Sequence, residues 1–148
     1  MTHTASVLFV CLGNICRSPL AEAAFRAAAD EAGMQVHVDS VGTAGYHIGE
    51  PPDPRSIRTA ASRGIDIGHY RGRQLAESDY REFSHIFAMD HENLRNIEAR
   101  APTNATAQIA LLLDLLPDRA GQSVGDPYYG GDDGFERTWA EVSEAAQA

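Results

Sequence analysis

Apolar and polar positions alternate along the chain in two rhythms. Val7, Leu8, Phe9 and Val10 form a continuous apolar run that ends at Cys11, as expected of a strand buried on both faces. Residues 19–32 then follow a helical period, with Leu20, Ala23, Ala24, Ala27 and Ala28 predicted to face a sheet and Gly33 to end the helix. Ser18 suits an N-cap, Pro19 the first helical position, and Glu22 would place a carboxylate in the first turn. Residues 36–41 alternate as a second strand, and a strand–helix–strand unit of this length is right-handed with parallel strands.

The same rhythms continue downstream. Asp53-Pro54 opens a helix that runs through Ile57, Ala60 and Ala61 to a stop at Gly64. Residues 65–75 are irregular, and residues 77–82 suit a short helix. Residues 85–90 read as a third strand, 91–101 as a helix, and 107–113 as a fourth strand whose leucines equally suit a helix. Residues 135–146 form an amphipathic helix predicted to bury Phe135, Trp139 and Val142. Two long polar loops, 42–54 and 121–134, interrupt the pattern, and the first follows a strand on the same edge as Cys11. Ligands of open α/β sheets bind at that edge. With no repeat or linker, the 148 residues are expected to form one domain.

Composition narrows the partners. The net charge is −9 and no basic block occurs, which argues against nucleic acid and anionic membrane surfaces. No apolar run reaches membrane-spanning length and residues 1–6 lack a signal-peptide pattern, so cytoplasmic residence is expected. All basic residues are arginines, and with the alanine richness this hints at a GC-rich bacterial genome. The only two cysteines are Cys11 and Cys16, which excludes a secreted disulfide framework. The histidines have no ligand spacing around them, and no metal or other cofactor is expected. Cys16 is either a small buried hydrophobe or the partner of Cys11 in a reversible, protective disulfide.

The chemistry concentrates in the C-x5-R stretch from Cys11 to Arg17. Leu12, Gly13, Asn14, Ile15 and Cys16 would lie over a helix N-terminus, where backbone N–H groups converge into an anion-binding nest. Gly13 and Asn14 are residue types that tolerate the unusual backbone angles of such a turn. Helix N-termini and neighbouring cations favour the thiolate of a cysteine. Arg17 can grip two phosphoryl oxygens at once, and Ser18 is placed to donate to the Cys11 sulfur. In the second polar loop, Gly-Asp-Pro-Tyr-Tyr offers Asp126 as a general acid, held by Pro127, with Tyr128 and Tyr129 as aromatic walls. On the residues alone, Asp90, Asp118, Asp132 and Asp133 compete for the acid role.

From Val10 to Pro19 the chain resembles the phosphate-binding loop of the low-molecular-weight protein tyrosine phosphatases, and Asp126-Pro127-Tyr128 is similar to their second signature. The likeness extends through Asp39-Ser40, Pro52-Asp53-Pro54-Arg55 and Met89-Asp90. The resemblance implies a three-layer αβα, flavodoxin-like fold with a four-stranded parallel sheet in the order 2-1-3-4. It implies hydrolysis of phosphotyrosine through a phosphocysteine on Cys11, with Asp126 as acid and then base and Arg17 as oxyanion clamp. It further implies that Ser40 and His69 support Asn14, that Tyr46 walls the cleft where relatives often carry tryptophan, and that Ile15 favours phosphotyrosine over phosphoarginine. A protein substrate, phosphate as product, and a monomer or weak dimer complete the expectation.

Three other readings are weaker. Thioredoxin-coupled arsenate reductases share this loop but pass electrons through further cysteines, and none follows Cys16. A phosphopeptide-binding module would need Arg17 and the nest but neither Cys11 nor Asp126. A nucleotide-binding Rossmann domain would need a glycine-rich fingerprint that does not follow the first strand.

Overall fold

The computed structural model describes residues 5–11, 17–33, 36–44, 48–124 and 132–147. Four parallel strands form its centre: β1 (Ala5–Cys11), β2 (Val36–Gly42), β3 (His85–Ala88) and β4 (Gln108–Leu111), in the spatial order β2-β1-β3-β4. Register sets Cys11 beside Gly42 and Val10 beside Ala88, so the C-terminal ends of β2, β1 and β3 share one edge.

Helices cover both faces because β1 is apolar on both. Val7, Phe9 and Cys11 face α1 (Arg17–Glu31), α2 (Pro54–Ala61) and α5 (Asp132–Gln147), and pack with Leu20, Ala60, Phe135 and Trp139. Leu8 and Val10 face the other way, against Tyr80 of α3 (Asp79–Glu82) and Ile97 of α4 (His91–Arg100). This is the three-layer arrangement and strand order expected, and Phe135, Trp139 and Val142 are all buried.

Several boundaries differ from the sequence pattern. Helix α1 starts at Arg17, two residues before Pro19, so Ser18 and Pro19 lie inside its first turn. Pro19 is tolerated there because the first N–H groups of a helix have no intrahelical acceptor. The earlier start carries Glu22 out of the first turn and into a buried position. Ala27 and Ala28 are only half-buried, whereas Ala29 is buried. Strand β3 ends at Ala88, and Asp90 is instead the N-cap of α4, accepting from the Asn93 N–H at 2.7 Å. Strand β4 stops at Leu111, and residues 112–115 turn into a 3-10 helix in which Leu112 and Leu113 are buried. Helix α5 begins at Asp132, three residues before Phe135.

Two segments behave as the local chemistry dictates. Asp53 caps α2 by accepting from the Arg55 N–H, with Pro54 at the first helical position. Gly33 and Gly64, after α1 and α2, have φ of 69° and 79°, the left-handed conformation that ends helices.

Candidate active site

Strand β1 delivers Cys11 to the C-terminal edge of the sheet, and the first turn of α1 returns beside it. The Cys11 sulfur lies 3.0 Å from Ser18 Oγ, with both residues buried. A thiolate in that position accepts from the Ser18 hydroxyl. The Cys11 carbonyl accepts from the Thr43 N–H at 2.9 Å, so the chain leaving β2 is tied to the same point.

Arg17 opens α1 and is 2% exposed. One of its guanidinium nitrogens donates to Asp90 Oδ2 at 2.8 Å and to the Val124 carbonyl at 2.9 Å. Val124 in turn donates its N–H to the Met89 carbonyl at 2.7 Å. The chain entering residues 125–131 is therefore fastened both to the end of β3 and to Arg17. A guanidinium oriented this way keeps a fixed direction, which suits bidentate recognition of a tetrahedral oxyanion.

Sequence reasoning weighed Asp90 only as one of several competitors for the acid role and did not anticipate its contact with Arg17. Its two oxygens are engaged, one by Arg17 and the other by the Asn93 N–H. A signal was present: an aspartate between an apolar run and a helical period is an N-cap pattern.

Behind this row sits a second polar group. Glu22 Oε1 accepts from Ser40 Oγ at 2.7 Å, and Oε2 accepts from Arg26 Nε at 3.1 Å and from another Arg26 nitrogen at 2.8 Å. Burial pushes the Glu22 carboxyl above its ordinary value, partly offset by the bonds from Ser40 and Arg26. Burial likewise pushes the Tyr70 phenol up to about 12, with the Glu22 charge adding to it. His69 is exposed and meets the Tyr70 ring edge-on, 4.9 Å between centroids, in a groove that Glu22 and Arg26 also line.

Of the residues singled out from sequence, Cys11, Arg17 and Ser18 thus stand in one buried row at the sheet edge. Ser40 reaches Glu22, one helical turn beyond Ser18. Leu12, Gly13, Asn14, Ile15, Cys16, Tyr46, Asp126, Tyr128 and Tyr129 lie outside the described residues. Among the other aspartates, Asp118 is exposed on a 3-10 turn and Asp132 and Asp133 open α5. Among the described residues, no group of three or more His, Cys, Asp or Glu side chains is arranged to hold a metal ion.

A parallel sheet covered on both faces, with a cysteine, a serine and a fixed arginine at its C-terminal edge, defines a three-layer α/β protein. Comparison with known proteins makes the class specific. Residues 6–148 match the family described as low molecular weight phosphotyrosine protein phosphatase, and the chain belongs to it. It is 43% identical to the low molecular weight phosphotyrosine protein phosphatase of Schizosaccharomyces pombe, covering 99% of this chain and 96% of that protein. It is 40% identical to the Homo sapiens protein of the same name, covering 98% and 93%. Among solved structures, a protein tyrosine phosphatase from Entamoeba histolytica superposes with a TM-score of 0.90 at 36% identity, covering 97% of this chain and 93% of that one. A Drosophila arginine phosphatase superposes with a TM-score of 0.89 at 32% identity, covering 95% and 92%. Relatives in yeast and humans mean that membership does not point to a bacterial origin.

Proposed function

We propose that the chain is a single-domain, cysteine-dependent phosphatase that hydrolyses phosphotyrosine in proteins, and small aryl phosphates, without a metal ion. The observation that carries this reading is the Cys11 sulfur at 3.0 Å from the buried Ser18 hydroxyl, next to the buried Arg17. One set of donors there serves two anions, a thiolate and a phosphoryl group.

The reaction has two steps. The Cys11 thiolate attacks phosphorus, the bond to the tyrosyl oxygen breaks, and Asp126 gives its proton to that leaving oxygen. Water then attacks the phosphocysteine, passes a proton to the Asp126 carboxylate, and the sulfur–phosphorus bond breaks to release inorganic phosphate and the thiolate. Arg17 and the N–H groups of residues 12–17 carry the charge on the equatorial oxygens in both steps. Tyr46, Tyr128 and Tyr129 wall the cleft, and Ser40 and His69 support Asn14.

The likeness to an arginine phosphatase raises phosphoarginine as a second substrate. Ile15 in the loop argues for phosphotyrosine, since relatives acting on phosphoarginine resemble one another in having threonine there. A cytoplasmic monomer or weak dimer completes the reading. The test is turnover of p-nitrophenyl phosphate in excess EDTA, then of matched phosphotyrosine, phosphoserine and phosphoarginine peptides. Activity in EDTA with preference for phosphotyrosine is expected; loss on chelation, or preference for phosphoarginine, would contradict it.

A further inference from the structure

Residues 121–124, which follow the 3-10 turns after β4, are held at both ends. At the inner end Val124 is buried, its N–H bonded to the Met89 carbonyl and its own carbonyl to Arg17. At the outer end the Gly121 N–H donates to Asp114 Oδ1 at 2.7 Å, and the Gly121 carbonyl lies 2.8 Å from His91 Nε2. A carbonyl oxygen only accepts, so His91 Nε2 carries the proton and donates it. Gly121 has a φ of 81°, a conformation that glycine adopts without strain. Between the two ends, the Gln122 N–H donates to the Arg119 carbonyl at 3.0 Å. The Arg119 side chain returns to Gln122 Oε1 at 2.7 Å and reaches Glu141 of α5 at 2.6 Å.

These bonds close a ring around the start of α4. Asp90 and His91 are neighbours there, the first as N-cap and the second as the opening helical residue. Asp90 accepts from one Arg17 nitrogen, and the Val124 carbonyl accepts from that same nitrogen. His91 meets the ring from its other side, through Gly121 and the short run to Val124. An acceptor on a segment anchored at one end can drift and turn the guanidinium with it. Anchoring the far end removes that freedom. The inner half of the ring is buried, whereas His91 and Gly121 are exposed, so the outer bond can be removed without opening a cavity.

We propose that His91 is a positioning residue for anion binding. By holding Gly121, it fixes the Val124 carbonyl and with it the direction of Arg17. The inference rests on the phosphatase reading above, in which Arg17 grips the phosphoryl group. It makes residues 121–124 a strut between the surface of α4 and the buried guanidinium.

The test compares wild type, His91→Ala, His91→Gln and Gly121→Ala. Vanadate affinity is measured by calorimetry, with p-nitrophenyl phosphate kinetics, melting temperature and amide exchange at Val124 read in parallel. His91→Ala is expected to weaken vanadate by about two- to tenfold, the worth of one hydrogen bond, and to speed exchange at Val124. His91→Gln keeps a side-chain N–H donor and should recover most of the affinity. A change of less than twofold in His91→Ala, or a loss confined to melting temperature, would overturn the inference. Equal loss in His91→Ala and His91→Gln would also overturn it, since the donated bond would then not be the cause. If His91→Ala fails to fold, Gly121→Ala decides. A Cβ at position 121 meets nothing within 4 Å, so that variant acts through backbone strain at the same carbonyl. It should weaken vanadate in the same direction, and an unchanged affinity overturns the inference. A wild type that neither binds vanadate nor hydrolyses p-nitrophenyl phosphate would sink the phosphatase reading and this inference with it. Failure of the positioning role alone leaves wild-type binding and turnover intact, so the two failures are distinguishable.

Discussion

Asp90 holds Arg17 by a bond of 2.8 Å while its other oxygen caps α4 at 2.7 Å, so the Arg17 guanidinium is tied to a helix N-terminus on the opposite face of the sheet. Arg17 is 3% exposed in its side chain and Asp90 27%, so the pair is sheltered from screening by solvent. Replacing Asp90 with alanine removes one of the two acceptors of that guanidinium nitrogen, leaving the Val124 carbonyl, and removes the cap. Misplacing a positioning group by about an ångström costs on the order of 10²-fold. Asp90→Ala should therefore lower both vanadate affinity and kcat/KM on p-nitrophenyl phosphate by roughly 10- to 100-fold. Vanadate titration alongside steady-state kinetics checks this; an unchanged vanadate affinity would show that Arg17 needs no such anchor.

Glu22 makes stability depend on pH with a definite sign. Its carboxyl is raised in the folded chain because burial disfavours the charge. The folded state therefore binds the proton more tightly than the unfolded state. Stability linked to this group is present below its ordinary value of 4.5 and is lost as pH rises through the raised value. Glu22→Gln removes that dependence. The melting temperature of the variant relative to wild type should accordingly rise with pH from 4.5 upward, measured by calorimetry at closely spaced pH values. A difference that falls over this range would contradict the burial argument and make the Arg26 ion pair dominant.

In the proposed reaction Asp126 acts, as general acid, on the departing oxygen and not on the phosphoryl group, which separates leaving-group chemistry from anion binding. Asp126→Ala should slow turnover of aryl phosphates by about 10²- to 10⁴-fold and leave vanadate affinity nearly unchanged. Equal loss of both would make Asp126 a structural residue of its loop.

Much of this architecture is legible because β1 is unambiguous. An apolar run ending in cysteine, followed by a serine–proline helix start, leaves few alternatives to a strand–loop–helix at a sheet edge. The row of Cys11, Arg17 and Ser18 follows from that alone. The misreadings share one cause, namely long-range partners. Glu22 looks like a first-turn carboxylate until Ser40 and Arg26 are seen to satisfy it in the interior. Asp90 looks like a free acid until Arg17, 73 residues away, is seen beside it. Residues 72–75 look like loop because their hydrogen bonds go to residues 42, 49 and 50, which no local period reveals.

The nucleophile is the claim on which everything else depends. Serine at position 11 keeps the shape of the site but is a far weaker nucleophile than a thiolate. Turnover of p-nitrophenyl phosphate by Cys11→Ser, with excess EDTA present and folding verified by its melting curve, should fall by about 10³-fold or more. Activity within tenfold of wild type in that folded variant would contradict a phosphocysteine mechanism.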